Sequence, residues 1–482
     1  MRHALTEEDR STCEPPLIVN VDGTLVRTEM LIEHFFYVFS THPFRTVLLF
    51  ARLWQGTSAF KAAVATAGAI DPALIPYNDA VLSLIKAERA KGRQIYLATA
   101  VSERSALRIV DHINLFDGHF ASSAHVHLSG AAKAERLKAE FGDGGFDYVG
   151  HDYEDLPVWD SARRVYVVDA TARLQIVISH RYADPQIVSR REGGVWRYAK
   201  ALRVHQWLKN ILVFLPALAA HDVTLARWST LLLAFLSFSA CASSVYLLND
   251  LLDLHSDRQH PTKRSRPFAS GALPLRAGLI LAPSLLLAGC GMALVVSPAF
   301  LGVLMAYYAL TTGYSLYLKR LAMLDVVTLG GLYGMRIIAG GIATAIPLSY
   351  WLVTFAIFLF LFLALVKRAT ELVANQETGT TQAIGRGYAA YDLGLVEAMA
   401  AASGFVSVMV LALYFSSLHM TQLYTHPEYM WSICLTMQYW IGHVLLLTHR
   451  GQMHDDPLVF AVTDHGSLGC GVVVALIIGV SL

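Results

Sequence analysis

From about residue 206 to its end, the chain is a succession of apolar stretches joined by brief connections. Each is roughly 20 residues long, the length a helix needs to cross a bilayer. Hydrocarbon tolerates only backbones that satisfy their own hydrogen bonds, so runs of this kind are read as membrane-spanning helices. Nine candidates lie near 207–220, 228–249, 276–296, 299–318, 324–343, 350–366, 396–418, 429–448 and 467–482. Up to about residue 200 charges are frequent and apolar runs are short, so the overall 55% hydrophobic and 16% charged composition describes neither half.

The expected organisation is a soluble α/β domain over 1–195 and an all-α polytopic membrane domain over 196–482. In the first, short apolar runs at 17–21, 94–99, 146–149 and 164–168 alternate with helical patterns, which points to a parallel sheet. Residues 28–92 fill the position of a helical cap. Its segment 35–54 is apolar, but Pro43, Arg45 and Arg52 interrupt it, so two amphipathic helices, packed in the cap or resting on the bilayer, are expected rather than a span. No leader pattern is present at Met1 to Pro16, which keeps this domain cytoplasmic. The five cysteines are scattered without CxxC spacing, which fits reduced thiols. A net charge of +1 singles out no class of partner; nucleic acid is not expected, membrane lipid is, and a homo-oligomer is compatible with the sequence.

With a cytoplasmic start, the loops at 258–276, 319–320, 367–386 and Arg450 fall inside and hold nearly all loop Lys and Arg, in accord with the positive-inside rule. At the end of the second apolar run stands Asn249-Asp250-Leu251-Leu252-Asp253-Leu254-His255-Ser256-Asp257. Read as helix, Asn249, Asp253 and Asp257 recur every four residues with Asp250 beside them, an acidic stripe at a membrane boundary. Hard oxygen ligands of this kind suit Mg²⁺ held together with substrate phosphates. The following basic loop, with Lys263, Arg264 and Arg266, suits phosphate oxygens the metal leaves unneutralised. The segment 330–341 is rich in glycine, for which helix packing is sufficient reason, and carries Arg336, a buried-depth cation expected to face a polar cavity or an anion.

These residues resemble the UbiA-type membrane prenyltransferases, whose first acidic motif NDxxDxxxD stands here as NDLLDLHSD. The closest branch is that of the decaprenyl-phosphate phosphoribosyltransferases, by RVHQWLKN at 203–210, YSLYLKR at 314–320, LDVV at 324–327, RIIAGGIATAIPLS at 336–349, KRATEL at 367–372 and RGQMHDDP at 450–457. Members acting on aromatic acceptors carry a second DxxxD motif in a later loop. The corresponding stretch here has Glu371 and Glu377 as its only acids and begins Lys367-Arg368, which suits a further phosphate better than a second Mg²⁺.

The resemblance implies transfer of 5-phosphoribose from phosphoribosyl pyrophosphate to a polyprenyl phosphate in an arabinose-containing cell-envelope pathway. Asn249, Asp250, Asp253 and Asp257 would hold Mg²⁺ on the pyrophosphate. Lys263, Arg264 and Arg266 would meet the pyrophosphate or 5-phosphate; Lys209, Lys319, Arg336, Lys367 and Arg368 are candidates for the lipid or ribose phosphate. Asp325 would orient the ribose or extend the metal site, and Tyr246 and Tyr314 are donors or interfacial aromatics. The alternatives are prenyl transfer to an aromatic or other small acceptor and, less in keeping with the acidic motif, a membrane-anchored phosphatase.

Along about 15–185 the first domain resembles the haloacid-dehalogenase-like phosphatases. Their DxDGT motif appears as Asn20-Val21-Asp22-Gly23-Thr24, with Thr99, Lys133 and Asp155 at their later motif positions. The nucleophilic aspartate is thus Asn20, a poor nucleophile, and His151 stands where a metal-binding aspartate is usual. A degenerate, non-hydrolysing domain is expected.

Overall fold

The computed structural model describes residues 14–42, 70–122, 127–190, 194–221, 224–377, 387–417, 424–454 and 456–481, together with 46, 54, 63, 64 and 68. The chain forms two compact units, and the division is not a single cut. One unit comprises Met1–Leu202 with Tyr246–Ala282; the other comprises Arg203–Val245 with Pro283–Leu482.

The first unit is built on a six-stranded sheet of β1 (Leu17–Val19), β2 (Ile95–Ser102), β3 (Gly118–Ser122), β4 (Asp147–Gly150), β5 (Val165–Val168) and β6 (Gln186–Ser189), ordered β3-β2-β1-β4-β5-β6. All pairings are parallel. The alternating pattern of the sequence is therefore met by an α/β fold. Strands covered on both faces need continuous rather than alternating apolar runs, as in Leu-Ile-Val and Val-Tyr-Val-Val. One core holds Leu17, Val19, Val81, Ile85 and Leu97, the other Ile18, Tyr148, Trp159, Val167 and Leu174. The helices include α1 (Met30–Thr41), α2 (Asp79–Ala90), α3 (Glu103–Ile113), α4 (Gly130–Phe141) and α5 (Ala172–Arg181). Strand order reverses between β1 and β4, and the crevice beyond the carboxyl ends of such neighbours is where open α/β sheets bind ligands. Asn20 to Gly23 follow β1 there and His151 follows β4. Of the expected amphipathic pair in 35–54, α1 covers the first part; the second falls mainly outside the described residues.

Among the described residues, seven helices rather than nine are long and apolar enough to cross a membrane. These are α6 (Leu225–Leu252), α8 (Leu275–Val296), α9 (Pro298–Leu316), α10 (Leu324–Thr344), α11 (Tyr350–Glu377), α12 (Leu393–Phe415) and α13 (Trp431–His449); the six-residue α7 (Leu254–Gln259) follows α6. The candidate at 207–220 is an 11-residue 3₁₀ segment, Val204–Phe214, followed by the short helix Leu215–Ala219. At about 2 Å per residue the 3₁₀ part reaches roughly 22 Å, short of the ~30 Å hydrocarbon layer. The last candidate, α14 (His465–Ser481), has 17 residues and begins only after Asp464, whose carboxylate accepts the Ser467 N–H at 2.7 Å.

Within the second unit, Phe362, Leu365, Val366 and Leu372 of α11 pack with Val396, Ala400, Ile441 and Val444, while Phe238, Phe300, Leu304 and Tyr307 form a second core. The glycines of 330–341 divide by role. A Cβ on Gly340 would lie 2.0 Å from the Val213 carbonyl oxygen, so close approach requires glycine there, whereas Gly331 and Gly334 meet nothing within 4 Å.

Candidate active site

The acidic segment is not one unbroken helix. α6 ends at Leu252 and Asp253 caps α7, yet Asp253 N–H donates to Asn249 O and Asp257 N–H to Asp253 O, both at 2.8 Å, so the four-residue spacing survives the break. Asp250 and Asp257 are each 2% exposed. Arg266 reaches both: its Nη1 lies 2.7 Å from Asp257 Oδ2 and 3.2 Å from Asp250 Oδ1. Burial pushes the Asp257 carboxyl above its ordinary range, against the pull of Arg266. Among the described residues no three His, Cys, Asp or Glu side chains are gathered as a metal cage. A buried carboxylate pair with an adjacent asparagine still fits Mg²⁺, which is commonly bound by one or two carboxylates plus substrate phosphates. Lys263 and Arg264 stand exposed on the turn Lys263–Ser265.

A residue of the α/β domain supports this segment. The Glu33 carboxylate in α1 takes a bidentate pair from Arg258, at 2.9 and 2.5 Å, and a hydrogen bond from the Thr28 hydroxyl. Arg258 also donates to the Ala269 carbonyl, and it directly follows Asp257. Both side chains are nearly buried, at 6% and 5% exposure. The sequence offered one signal of this pair, an acidic residue in an otherwise apolar stretch of helix.

In the second unit the other expected residues form two clusters. Arg336, placed in α10, donates to Asn210 Oδ1 at 2.8 Å, to the Leu332 carbonyl, and to the Tyr307 hydroxyl at 2.9 Å, between the rings of Tyr307 and Tyr333. Instead of an open cavity, neutral acceptors meet its guanidinium. Lys209, beside Asn210, pairs with Asp456 at 2.6 Å and lies over Tyr333. The second cluster joins Asp325 to Arg368 at 2.7 Å, Arg368 to Glu371, and the Tyr388 hydroxyl to Asp325 at 2.7 Å. Arg368 and Asp325 are fully buried. The doublet expected to present two cations to a phosphate therefore uses Arg368 internally, while Lys367 is half-buried. Tyr314 and Lys319 are also half-buried, near the end of α9. Asn210, Asp456, Tyr307 and Tyr388 were not singled out from sequence; all but Tyr307 lie in or near stretches of dense polar residues.

At the switch point of the sheet, Lys133 Nζ donates to Asn20 Oδ1 at 3.1 Å and to the Tyr148 hydroxyl at 3.0 Å, and Tyr148 donates to Asp155 at 2.8 Å. Burial works to raise the Asp155 carboxyl, but the His151 hydrogen bond and the Lys133 charge outweigh it and hold it well below the usual range. Asp22 turns instead to α1, accepting the Met30 N–H at 2.9 Å, and burial pushes its carboxyl up to about 6. Thr99 accepts from Val101 within its own strand. The His151 ring lies over Gly23, where a Cβ would come within 2.1 Å of it.

Long apolar helices with a paired-carboxylate cluster at the end of one define an integral membrane protein of the polytopic type. The chain belongs to the UbiA prenyltransferase family, which it matches over residues 210–462, and is accordingly a transferase. It is 34% identical over 466 residues to the uncharacterized protein y4nM of Sinorhizobium fredii, covering 95% of this chain and 90% of that one. Nodulation protein NoeC of Azorhizobium caulinodans is 34% identical over 57% of this chain and 89% of its own length. Decaprenyl-phosphate phosphoribosyltransferase of Mycobacterium tuberculosis is 38% identical over 186 residues, 37% of this chain and 61% of that relative.

Proposed function

We propose that the protein transfers a 5-phosphoribosyl group from phosphoribosyl pyrophosphate to a polyprenyl phosphate. The observation that carries this reading is the fate of the later acidic position. Asp325 and Glu371, two acids in or near the 367–377 stretch, are both engaged by Arg368, so among the described side chains no second acidic cluster is offered for a metal-bound prenyl diphosphate. The name of the mycobacterial relative, a decaprenyl-phosphate phosphoribosyltransferase, supports the same transferred group and the same kind of acceptor. The family's description favours the second reading, prenyl transfer to a small acceptor, against which the Arg368 cluster counts.

In the reaction a lipid phosphate oxygen forms a bond to the anomeric carbon as the bond to pyrophosphate breaks, the electron pair leaving with pyrophosphate. The lipid phosphate is already anionic, so alignment matters more than a general base. Asn249, Asp250, Asp253 and Asp257 would hold Mg²⁺, which neutralises charge developing on the leaving group when bound. Arg266 would exchange its carboxylates for pyrophosphate oxygens, with Lys263 and Arg264 beside it. Lys209, Lys319 and Lys367 are the cations we assign to the lipid or ribose phosphate, with Tyr314 as a donor. Arg336, Arg368 and Asp325 act as positioning residues through their buried bonds.

We read the α/β unit as a haloacid-dehalogenase-like domain that has lost hydrolysis, and the acidic segment as opening to the cytoplasmic face of the inner membrane. The test is transfer of label from phosphoribosyl pyrophosphate into extractable lipid by membranes containing the protein, with Mg²⁺ and polyprenyl phosphate supplied. Lipid label that depends on all three supports the reading; its absence under those conditions opposes it.

A further inference from the structure

The seven-residue helix Val195–Ala201 carries two adjacent large apolar side chains on its outside: Val195 is 85% and Trp196 80% exposed, whereas Ala201 is buried. It is tied to a loop of the same unit. Arg197 donates to the Ala272 carbonyl and Lys200 Nζ to the Ser265 carbonyl, each at 3.3 Å. These are long hydrogen bonds, and no side chain caps the start of the helix. A helix of about two turns is marginal in water, so an exposed Trp and Val on it are a cost unless a second surface takes them.

The loop defines that surface. α6 and α8 are both long and apolar enough to cross a bilayer, and residues 253–274 join them. α8 has 22 residues, which at about 1.5 Å each spans the ~30 Å hydrocarbon layer with little to spare. Its first residue, Leu275, therefore stands at the water boundary, and Ala272 lies three residues before it. A helix hydrogen-bonded to Ala272 is held at that level. The headgroup layer suits its side chains, because an indole buries its ring among chain ends while its N–H keeps a polar partner. Lys200, with Lys263 and Arg264 on the neighbouring turn, is exposed and adds positive charge that suits headgroup phosphates.

We propose that Val195–Ala201 is an interfacial anchor, whose Val195 and Trp196 side chains enter the headgroup layer of the bilayer, and that this seating holds the 263–272 loop in place. The helix meets lipid through its apolar residues and the loop through its cations, so contact on one side steadies the hydrogen bonds on the other. The loop carries Lys263, Arg264 and Arg266, the cations assigned above to substrate phosphates, so its bearing on transfer rests on that reading. The seating itself does not.

Tryptophan emission of the full-length protein in nanodiscs tests it, with the spectrum of Trp196→Phe subtracted to isolate one of the eight tryptophans. Phosphatidylcholine brominated near the headgroup end of its chains should quench the Trp196 component by about twofold or more, and iodide in the water should quench it much less. In the same nanodiscs Trp196→Ser should speed amide exchange across 263–272 by about tenfold or more, while Trp196→Phe should leave it close to that of the unaltered protein. Val195→Ser serves as the second variant if Trp196→Ser fails to fold. Neither measurement depends on transfer, so an absence of lipid labelling beside these results would count against the transferase reading alone. Emission quenched by iodide and not by brominated lipid would put the helix in water, and emission reached by neither would mean that protein, such as a second copy of this chain, covers it. Either outcome, or unchanged exchange in the folded serine variants, would overturn the proposal.

Discussion

Asp250 and Asp257 are two buried carboxylates that Arg266 keeps together at 3.2 and 2.7 Å. Removing either acid leaves Arg266 half-compensated and, on the proposed function, takes away an oxygen that would hold Mg²⁺. Asp250→Ala and Asp257→Ala should therefore lower transfer by about a hundredfold or more, the scale of losing one electrostatic element of a transition state, as measured by lipid labelling. Asn20→Ala should leave transfer within about twofold, since among the described residues the Asn20 side chain bonds within the α/β unit. Asp22 supplies a stability prediction. Its folded carboxyl titrates near 6 against 3.8 for the unfolded chain, so burial of the charge costs nothing below about pH 3.8 and its full amount above about 6. Asp22→Asn keeps the acceptor for the Met30 N–H and discards the charge. It should raise the melting temperature at pH 7 to 8, by the equivalent of about 1–3 kcal/mol, and give no gain below pH 4.

At the scale of elements, α1 and α7 are joined by a pair whose members lie 225 positions apart in the chain. Breaking one partner of a buried pair strands the other, at about 3–5 kcal/mol. Glu33→Ala should lower the melting temperature and transfer together, and Arg258→Ala should do the same; a Glu33→Ala protein with unchanged stability and activity would show that the pair does not brace the acidic segment. The strands that the sequence displayed were those of the sheet's interior, β1, β2, β4 and β5, where burial on both faces demands apolar runs. β3, Gly-His-Phe-Ala-Ser, and β6, Gln-Ile-Val-Ser, lie at the two edges and are only partly covered, so their residues carry no such pattern. The 3₁₀ segment Val204–Phe214 was read as a span because hydropathy records apolar residues without recording helix pitch. Periodicity places a residue on a face but does not name its partner, which is why Arg336 and Arg368 were read as facing substrates while Asn210 and Asp325 meet them instead.

At the scale of the molecule, residues 246–282 belong with the α/β unit rather than with the helices that precede and follow them. The acidic segment therefore depends for its surroundings on the α/β unit. A chain beginning at residue 195 should lose transfer and elute as aggregate, because Leu251, Leu252 and Leu254, which line a small cavity with Phe36, Tyr37 and Ile70, would lose that cover. Full activity in that shortened chain would contradict this dependence. The acidic motif itself, its metal-suited oxygens and the polytopic character were legible because charge at the end of an apolar run is costly and needs a reason. The dependence on α1 was not, since it rests on contacts between distant parts of the chain. The most direct test of the central claim sets two donors against each other in the same Mg²⁺-containing membranes. One is ribose-labelled phosphoribosyl pyrophosphate with polyprenyl phosphate; the other is labelled polyprenyl diphosphate with an aromatic acid. The account predicts ribose label in a phospholipid product, lost with Asp257→Ala, and no prenylated acid; prenylated acid without ribose-labelled lipid would contradict it.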